Sequence, residues 1–204
     1  MNEQLVNGPV SRETLQKLRI YCDLIRRWNP RINLVAASTI DDLWSRHIED
    51  SMQIVGLAPS TPAHWVDLGS GGGLPGVVCA IMLQELAPSC HFTLVESDKR
   101  KAAFLATCKH ELALNMTVKS ERAERLEPQR ADVVTARALA PLPALLPLVA
   151  RHMADDAVAL LPKGKNHAAE LEAARAEWQF TLASHVSQTD NLARILALRD
   201  IKRV

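Results

Sequence analysis

The chain has 204 residues, of which 48% are hydrophobic and 23% charged, a balance typical of a soluble globular protein rather than a disordered one. Lysine and arginine number 24 against 23 aspartate and glutamate, so the net charge of +1 excludes binding to nucleic acid or membrane through bulk charge, and an anionic partner requires a local basic patch. The four cysteines form no paired motif and the N-terminus lacks the apolar core of a signal peptide, which favours a cytoplasmic protein with reduced thiols. The longest apolar run, 138–150, contains three prolines and is shorter than the roughly 20 residues of a membrane span, so no membrane segment is expected.

The first predicted element is a helix over 11–28. Apolar residues recur in it at helical spacing, and Ser11 is placed to cap its N-terminus. Asn29-Pro30 is expected to end it, because proline cannot continue the hydrogen-bond pattern of a helix.

A second helix is predicted over 39–57, where Thr39 and Asp42 fit a capping box and an apolar stripe follows. Two prolines in the next stretch indicate a linker. The sequence therefore divides into an N-terminal helical extension over 1–60 and one compact unit over 61–204.

After the linker, short apolar runs alternate with amphipathic stretches. The runs that predict strands are 65–68, 92–96, 116–120, 132–136, 157–162, 180–186 and 192–198, and the stretches that predict helices are 74–87, 98–114, 142–153 and 166–178. Such alternation predicts an α/β fold, a doubly wound and mostly parallel seven-stranded sheet with helices on both faces. The last two strands are separated by only a short polar break, which indicates a terminal antiparallel hairpin.

A glycine-rich loop, VDLGSGGGLPG at 66–76, joins the first strand of this sheet to a helix. Gly71, Gly73 and Gly76 satisfy the G-x-G-x-x-G pattern of dinucleotide-binding folds, although a purely structural turn would also use glycine. Asp67 ends the strand and is expected to face the crevice, where its charge would repel a pyrophosphate and attract a sulfonium and an ammonium group. The loop therefore favours S-adenosylmethionine over a dinucleotide.

Three further strand ends carry candidate site residues. Glu96 ends the second strand, where an acid can accept hydrogen bonds from ribose hydroxyls of either cofactor class. Ala123-Glu124 follows the third strand at the height of an adenine ring, although a solvated Glu124 is the simpler interpretation. Arg137 follows the fourth strand at the catalytic mouth and implies a carboxylate, phosphate or base as its partner, which makes it the best catalytic candidate.

Two motifs are missing from the segment TARALAP at 135–141. It lacks the Asp- or Asn-Pro-Pro-aromatic motif of enzymes that methylate exocyclic amines, and it lacks the cysteine nucleophile that pyrimidine carbon requires. A neutral ring nitrogen such as guanine N7 needs neither, because its lone pair is available without deprotonation. Catalysis of that kind depends on holding the nitrogen in line with the methyl group, and no general base is required.

Seven segments spread over nearly the whole chain carry a resemblance to a known family. They are WNPRINL at 28–34, RHIEDSM at 46–52, DLGSGGGLPG at 67–76, ESDKRKAAFL at 96–105, Arg-Ala-Glu at 122–124, TARALAPL at 135–142 and LPKGK at 161–165. Together they resemble the RsmG or GidB family of bacterial small-subunit ribosomal RNA guanine-N7 methyltransferases. The resemblance implies a class I methyltransferase fold, S-adenosylmethionine as cofactor, and a guanine of 16S ribosomal RNA near the decoding centre as substrate. It implies cofactor contacts at Gly69, Leu74, Ala123, Glu124 and Arg137. The position of the glycine loop and of the strand ends adds Asp67, Gly71 and Glu96 as further cofactor-binding candidates.

Basic residues that could contact RNA fall into three clusters, of which Lys163 and Lys165 are favoured because they follow the strand next to Arg137. The other two clusters are Arg26, Arg27 and Arg31, and Arg199, Lys202 and Arg203. Trp28 and Trp44 could stack on a base, but each lies in an apolar helical pattern and is expected in the core. The histidines show no metal-ligand spacing, so no metal is proposed.

Two other functions fit parts of the same sequence. One is a nucleotide-dependent oxidoreductase that uses the glycine pattern. The other is a non-catalytic protein that binds cofactor or RNA, for example a ribosome assembly factor. For the ribosomal RNA methyltransferase, a monomer is expected.

Overall fold

The computed structural model describes residues 10–204. Its strands are β1 (His64–Leu68), β2 (His91–Val95), β3 (Met116–Lys119), β4 (Ala131–Ala136), β5 (Met153–Lys163), β6 (Trp178–Val186) and β7 (Arg194–Arg203). Its α-helices are α1 (Arg12–Ile32), α2 (Asp50–Val55), α3 (Gly76–Leu86), α4 (Lys99–Glu111), α5 (Leu142–His152) and α6 (His167–Arg175). Within these residues no helix is both long and apolar enough to cross a bilayer.

The seven strands form one sheet in the order β3-β2-β1-β4-β5-β7-β6. The first five strands pair in parallel, and β7 pairs antiparallel with both β5 and β6. The predicted doubly wound sheet and its terminal antiparallel hairpin are confirmed. The chain order reverses between β1 and β4, and in open parallel sheets ligands bind at such a switch point, outside the carboxyl ends of the strands.

Two hydrophobic cores cover the two faces of the sheet. On one face the extension and helices α3 and α4 bury Tyr21, Ile54, Ile81 and Phe104 against Trp65. On the other face α5 and α6 pack against alternate strand residues, which include Val66, Leu68 and Leu196. Because successive side chains of a strand point to opposite faces, each of the central strands contributes to both cores.

The four cysteines, Cys22, Cys79, Cys90 and Cys108, are buried and free. Burial raises the pKa of each thiol, that of Cys22 to about 11 and that of Cys90 to about 12. All four are therefore protonated at neutral pH and pack as small apolar side chains.

Helix α1 begins as predicted, with the Ser11 hydroxyl oxygen accepting a hydrogen bond from the Thr14 N–H at 3.1 Å. The prediction that Asn29-Pro30 ends the helix is wrong, since α1 continues to Ile32. The Asn29 side chain explains the difference, because its oxygen accepts hydrogen bonds from the backbone N–H groups of Leu34 at 2.7 Å and Val35 at 2.9 Å. These bonds hold the backbone just beyond the last turn of α1. Pro30, within that last turn, removes only one backbone hydrogen bond of the helix, the one that its own missing N–H would have made.

The predicted capping box at Thr39 and Asp42 does not form. Thr39 instead ends a short 3₁₀ turn (Ala37–Thr39), and its hydroxyl donates to the Ala36 carbonyl at 2.8 Å. Helical structure begins only afterwards, with a π-helical segment (Trp44–Glu49) that continues directly into the α-helix α2. Such wide turns are rare and occur frequently at functional sites.

Candidate active site

Two neighbouring cavities open at the carboxyl ends of the central strands. The smaller, of about 70 Å³, is lined by Gly69, Ala123, Glu124 and Leu139 among others. The larger, of about 930 Å³, contains Arg137 and extends to residues of the extension, β5 and β7. Leu139 lines both cavities, and an atom added as Cβ to Gly69 would lie 2.6 Å from its Cδ1. The Leu139 side chain is therefore the partition between the two cavities.

The glycine loop curves around the Glu96 carboxylate. One carboxylate oxygen accepts a hydrogen bond from the Gly71 N–H at 2.8 Å, and the other accepts one from the Asp98 N–H at 2.7 Å. Gly69, Gly71 and Gly73 all have positive φ angles, which only glycine adopts readily. Glu96, 8% exposed, is thus brought to the loop as the sequence indicates, and each oxygen keeps lone-pair capacity for a further donor.

The extension supports the loop from below. The buried Tyr21 hydroxyl donates a hydrogen bond to the Gly72 carbonyl, and a Cβ on Gly73 would collide with Val77 and lie 2.9 Å from the Tyr21 oxygen. Leu74 belongs to the same core at 5% exposure and lines neither cavity. The structure therefore does not bring Leu74 to either cavity.

The prediction that Asp67 faces the crevice is wrong. Its side chain is 1% exposed and lines neither cavity. One oxygen accepts a hydrogen bond from the Thr135 hydroxyl at 2.7 Å, and the other lies 2.6 Å from the point where a Gly76 Cβ would stand, at the start of α3. Burial raises the pKa of Asp67 to about 6. The position of the carboxyl, between Thr135 and the start of α3, places it under the loop.

At the other end of the smaller cavity lies the Ala123-Glu124 pair. Ala123 is 7% exposed, and its carbonyl accepts a hydrogen bond from His152 at 2.9 Å. Glu124 is exposed and borders the same cavity. The structure therefore gathers Gly69, Ala123 and Glu124 around one cavity.

Arg137 lies in the larger cavity and is held by two residues of the extension. Its guanidinium contacts the Asp50 carboxylate at 3.4 Å and donates to Nδ1 of His47 at 3.3 Å. The other imidazole nitrogen of His47 lies 2.9 Å from the Thr39 hydroxyl, whose own proton goes to a backbone carbonyl, so Nε2 carries the hydrogen. Burial, reinforced by Arg137, lowers the pKa of His47 to about 4, so the ring is neutral at neutral pH.

The two favoured lysines differ in environment. Lys163 borders the larger cavity but is largely buried: its ammonium pairs with Glu170 at 2.9 Å and donates to the Ala140 carbonyl at 2.8 Å. Glu170 also accepts from the Leu142 N–H at 2.8 Å, so the pair fastens the segment that carries Leu139. Lys165 is exposed and lies outside the cavity lining.

Sequence reasoning missed the residues that the extension and β7 bring to the larger cavity. They are Arg46, His47, Asp50 and Arg194. The motif RHIEDSM contained three of them, and the wide π-helical turn that directs them to the cavity left no periodic signal. Trp28 and Trp44 are half-buried and pack against the first core. Across residues 10–204, no group of three or more potential metal ligands comes together.

Solved structures with a similar architecture include methyltransferases. A ribosomal protein L11 methylase from Lactobacillus delbrueckii subsp. bulgaricus matches 78% of this chain and 78% of its own, with a TM-score of 0.57 and 14% identity. A SAM-dependent methyltransferase from Aquifex aeolicus matches 80% of this chain and 98% of its own, with a TM-score of 0.57 and 14% identity. At this identity the likeness shows the class I methyltransferase fold alone.

Sequence comparison identifies much nearer relatives. A ribosomal RNA small subunit methyltransferase G of Cereibacter sphaeroides is 52% identical over 195 residues, which cover 96% of this chain and 94% of the relative. A protein of the same name from Paracoccus denitrificans is 48% identical over 194 residues, which cover 95% and 98%. The relatives support neither an oxidoreductase nor a non-catalytic assembly factor. The model of the GidB family, described as rRNA small subunit methyltransferase G, matches residues 14–195, and the chain belongs to that family.

Proposed function

We propose that this protein transfers the methyl group of S-adenosylmethionine to N7 of a guanine in 16S ribosomal RNA, near the decoding centre. One observation carries the proposal beyond family membership. The cavity beside Gly69 and the cavity that contains Arg137 share one lining residue, Leu139. A cofactor in the first and a base in the second would meet at that side chain.

The residues around the glycine loop fit the cofactor. Gly69 lines the smaller cavity and lies so close to Leu139 that an added Cβ would stand 2.6 Å from its Cδ1, so only glycine leaves this approach open. Glu96 offers acceptor capacity for ribose hydroxyls, and the cavity at Ala123-Glu124 suits an adenine ring. When bound, the cofactor supplies an electrophilic methyl group on a sulfonium sulfur. Asp67 acts from beneath, as a charge that supports the loop and the start of α3.

The chain's own part in the reaction is to orient the base and to accommodate charge. Guanine N7 uses its lone pair to form the new bond to carbon, and no proton has to leave. The base becomes cationic, and the Asp50 carboxylate beside Arg137 can balance that charge. The Arg137 guanidinium is placed to hold the base, with the neutral His47 ring against it.

Positive charge at the larger cavity suits the RNA backbone. Arg46 and Arg194 border it from two sides, and we assign them to phosphate contacts. Lys165, exposed beyond the end of β5, is a further phosphate contact in this proposal. Lys163 acts there through the segment that it fastens, because Glu170 already neutralises its charge.

The proposal includes the organisation of the chain. The N-terminal extension is assigned to residues 1–60, of which 1–9 lie outside the described residues, and it helps to hold the RNA because Arg46, His47 and Asp50 border the cavity. Residues 61–204 are assigned to the cofactor-binding unit. The protein works as a monomer in the cytoplasm, where its proposed ribosomal RNA substrate is assembled.

A methyl transfer assay tests this function directly. Purified protein is incubated with radiolabelled S-adenosylmethionine and ribosomal RNA that lacks the modification, both as free RNA and as small subunits, and the product is digested and searched for 7-methylguanosine. We expect label in that nucleoside with at least one of the two substrates. Titration calorimetry should show binding of S-adenosylhomocysteine and not of NAD(H). Absence of 7-methylguanosine from both substrates, or tight binding of NAD(H), would overturn the proposal.

A further inference from the structure

The last turn of α5 holds the loop between β3 and β4 from inside the protein. His152 is fully buried, and its Nε2 lies 2.9 Å from the Ala123 carbonyl oxygen. The neighbouring Arg151 donates to the Leu126 carbonyl through Nε at 3.2 Å and through its terminal nitrogen at 3.1 Å. Two consecutive residues of one helix thus bind two carbonyls of the segment that borders the smaller cavity.

The protonation of His152 follows from these contacts. A carbonyl oxygen can only accept, so Nε2 carries the proton and Nδ1 does not. Nδ1 is buried and has no partner in the described part of the chain. Burial also lowers the pKa of His152, which keeps the ring neutral. Its one polar contact is therefore the bond to Ala123.

That bond fixes the direction of the next peptide group. In a trans peptide the C=O and the following N–H point to opposite sides of the chain. Because the Ala123 carbonyl points inward to His152, the Glu124 N–H points away from the interior, on the side of the cavity that Glu124 borders. Among residues 10–204, no acceptor is bonded to this N–H. A residue that borders the smaller cavity thus carries an unpaired backbone donor that is directed away from His152.

We propose that His152 is a positioning residue for cofactor recognition: by holding the Ala123 carbonyl it aims the Glu124 N–H at N1 of the adenine ring. Adenine N1 is an acceptor for this N–H. Hypoxanthine carries a hydrogen at N1, so its N1–H donor would face the Glu124 N–H donor and no hydrogen bond could form. The His152 contact therefore sets the preference for adenine over hypoxanthine. The inference rests on the proposed placement of the cofactor beside Gly69, and it goes beyond that placement by naming a residue that does not touch the ligand.

Titration calorimetry with two ligands tests the inference. S-adenosylhomocysteine and S-inosylhomocysteine are titrated into the wild-type protein and into His152→Leu, His152→Gln and Arg151→Met. We expect His152→Leu to bind S-adenosylhomocysteine about tenfold more weakly, the effect of one lost hydrogen bond, and to bind the inosine analogue nearly unchanged. His152→Gln, whose amide can still donate to Ala123, should regain most of the preference.

Arg151→Met removes the second contact without emptying the core, because Arg151 is exposed. A threefold loss in the same direction is expected, so the test stands even if His152→Leu does not fold. His110→Leu, in the last turn of α4, is the matched control and should behave as wild type. The inference is overturned if the folded His152 and Arg151 variants keep both affinities within twofold of wild type. Failure of the wild-type protein itself to bind S-adenosylhomocysteine would instead refute the proposed function.

Discussion

The Asp50 carboxylate lies 3.4 Å from the Arg137 guanidinium and ties α2 of the extension to the end of β4. Both side chains are 19% exposed. The second carboxylate oxygen of Asp50 accepts from three more donors, the side chains of Gln53, Ser187 and Thr189. Asp50 therefore joins the extension, the β4 end and the loop before β7 at a single point.

Arg137→Ala should abolish methyl transfer to ribosomal RNA while the protein stays folded. In the proposed function the guanidinium is the donor that holds the base, and its removal leaves Asp50 hydrogen-bonded to the three other side chains. The measurement is radiolabelled transfer beside a thermal unfolding curve. Full activity in a folded variant would contradict the assignment of Arg137.

Asp50→Asn should lower methyl transfer by roughly tenfold to a hundredfold, because the neutral amide cannot hold the partly buried guanidinium of Arg137 as tightly. Affinity for S-adenosylhomocysteine should stay within twofold, since Asp50 borders only the larger cavity. Asp42→Asn, exposed in the same extension, is the control and should leave transfer unchanged. An equal loss of cofactor affinity in Asp50→Asn would show that the two cavities are not separable in this way.

Glu96→Gln should weaken binding of S-adenosylhomocysteine roughly tenfold. Both carboxylate oxygens accept backbone N–H groups, from Gly71 and Asp98, and a glutamine must turn its own NH₂ group toward one of them. Calorimetry measures the loss, with Glu172→Gln on exposed α6 as the control. Unchanged affinity would mean that the shape of the loop does not depend on the carboxylate.

Gly73→Ala should lower the free energy of unfolding by about 3 kcal/mol, since the φ of +84° is strained for alanine and the new methyl group would collide with Val77. Gly164→Ala is the matched control, because its added Cβ meets no atom within 4 Å and should change stability little. Chemical denaturation of the two variants and the wild type gives the values. Equal stability of all three would argue against a strained turn at Gly73.

Asp67 should give the protein a pH-dependent stability that Asp67→Asn lacks. Burial raises the pKa of Asp67 from 3.8 to about 6, so the folded protein holds this proton over a range where the unfolded chain has lost it. The resulting stabilisation is present below pH 4 and is lost as the pH rises through 6. The free energy of unfolding of Asp67→Asn minus that of wild type should therefore rise by about 2 kcal/mol from pH 4 to pH 7. A flat difference would show that the carboxyl titrates normally.

Most of the fold follows from sequence because its signals are local. Short apolar runs predict the strands, and the longer stretches between them predict the helices, so the alternation along the chain indicates a parallel sheet. The errors lie where a side chain overrides a local rule. Helix α1 continues beyond Pro30, where the Asn29 side chain accepts hydrogen bonds from the backbone that follows the helix. Thr39 uses its hydroxyl within a 3₁₀ turn instead of capping a helix.

The site was harder to predict from sequence because it depends on where side chains point and on which residues of other elements they contact. Asp67 shares a strand face with Trp65, two residues earlier, and that alternation already places it toward the core under α3. The pairing of Lys163 with Glu170 joins residues of different elements and leaves no motif. The position of Glu96, by contrast, could be predicted because β2 lies next to β1 in a doubly wound sheet, so the end of β2 lies beside the glycine loop that follows β1.

The hydroxyl of Tyr21 gives the glycine loop a support that its own sequence does not encode. Any substitution in α1 that tilts this ring will reshape the backbone around Gly72 and Gly73, fifty positions later. Substitutions in helix α1 and in the loop are consequently expected to be coupled. A graft of the loop sequence into another sheet would lack the Tyr21 hydrogen bond and would not keep the same backbone conformation.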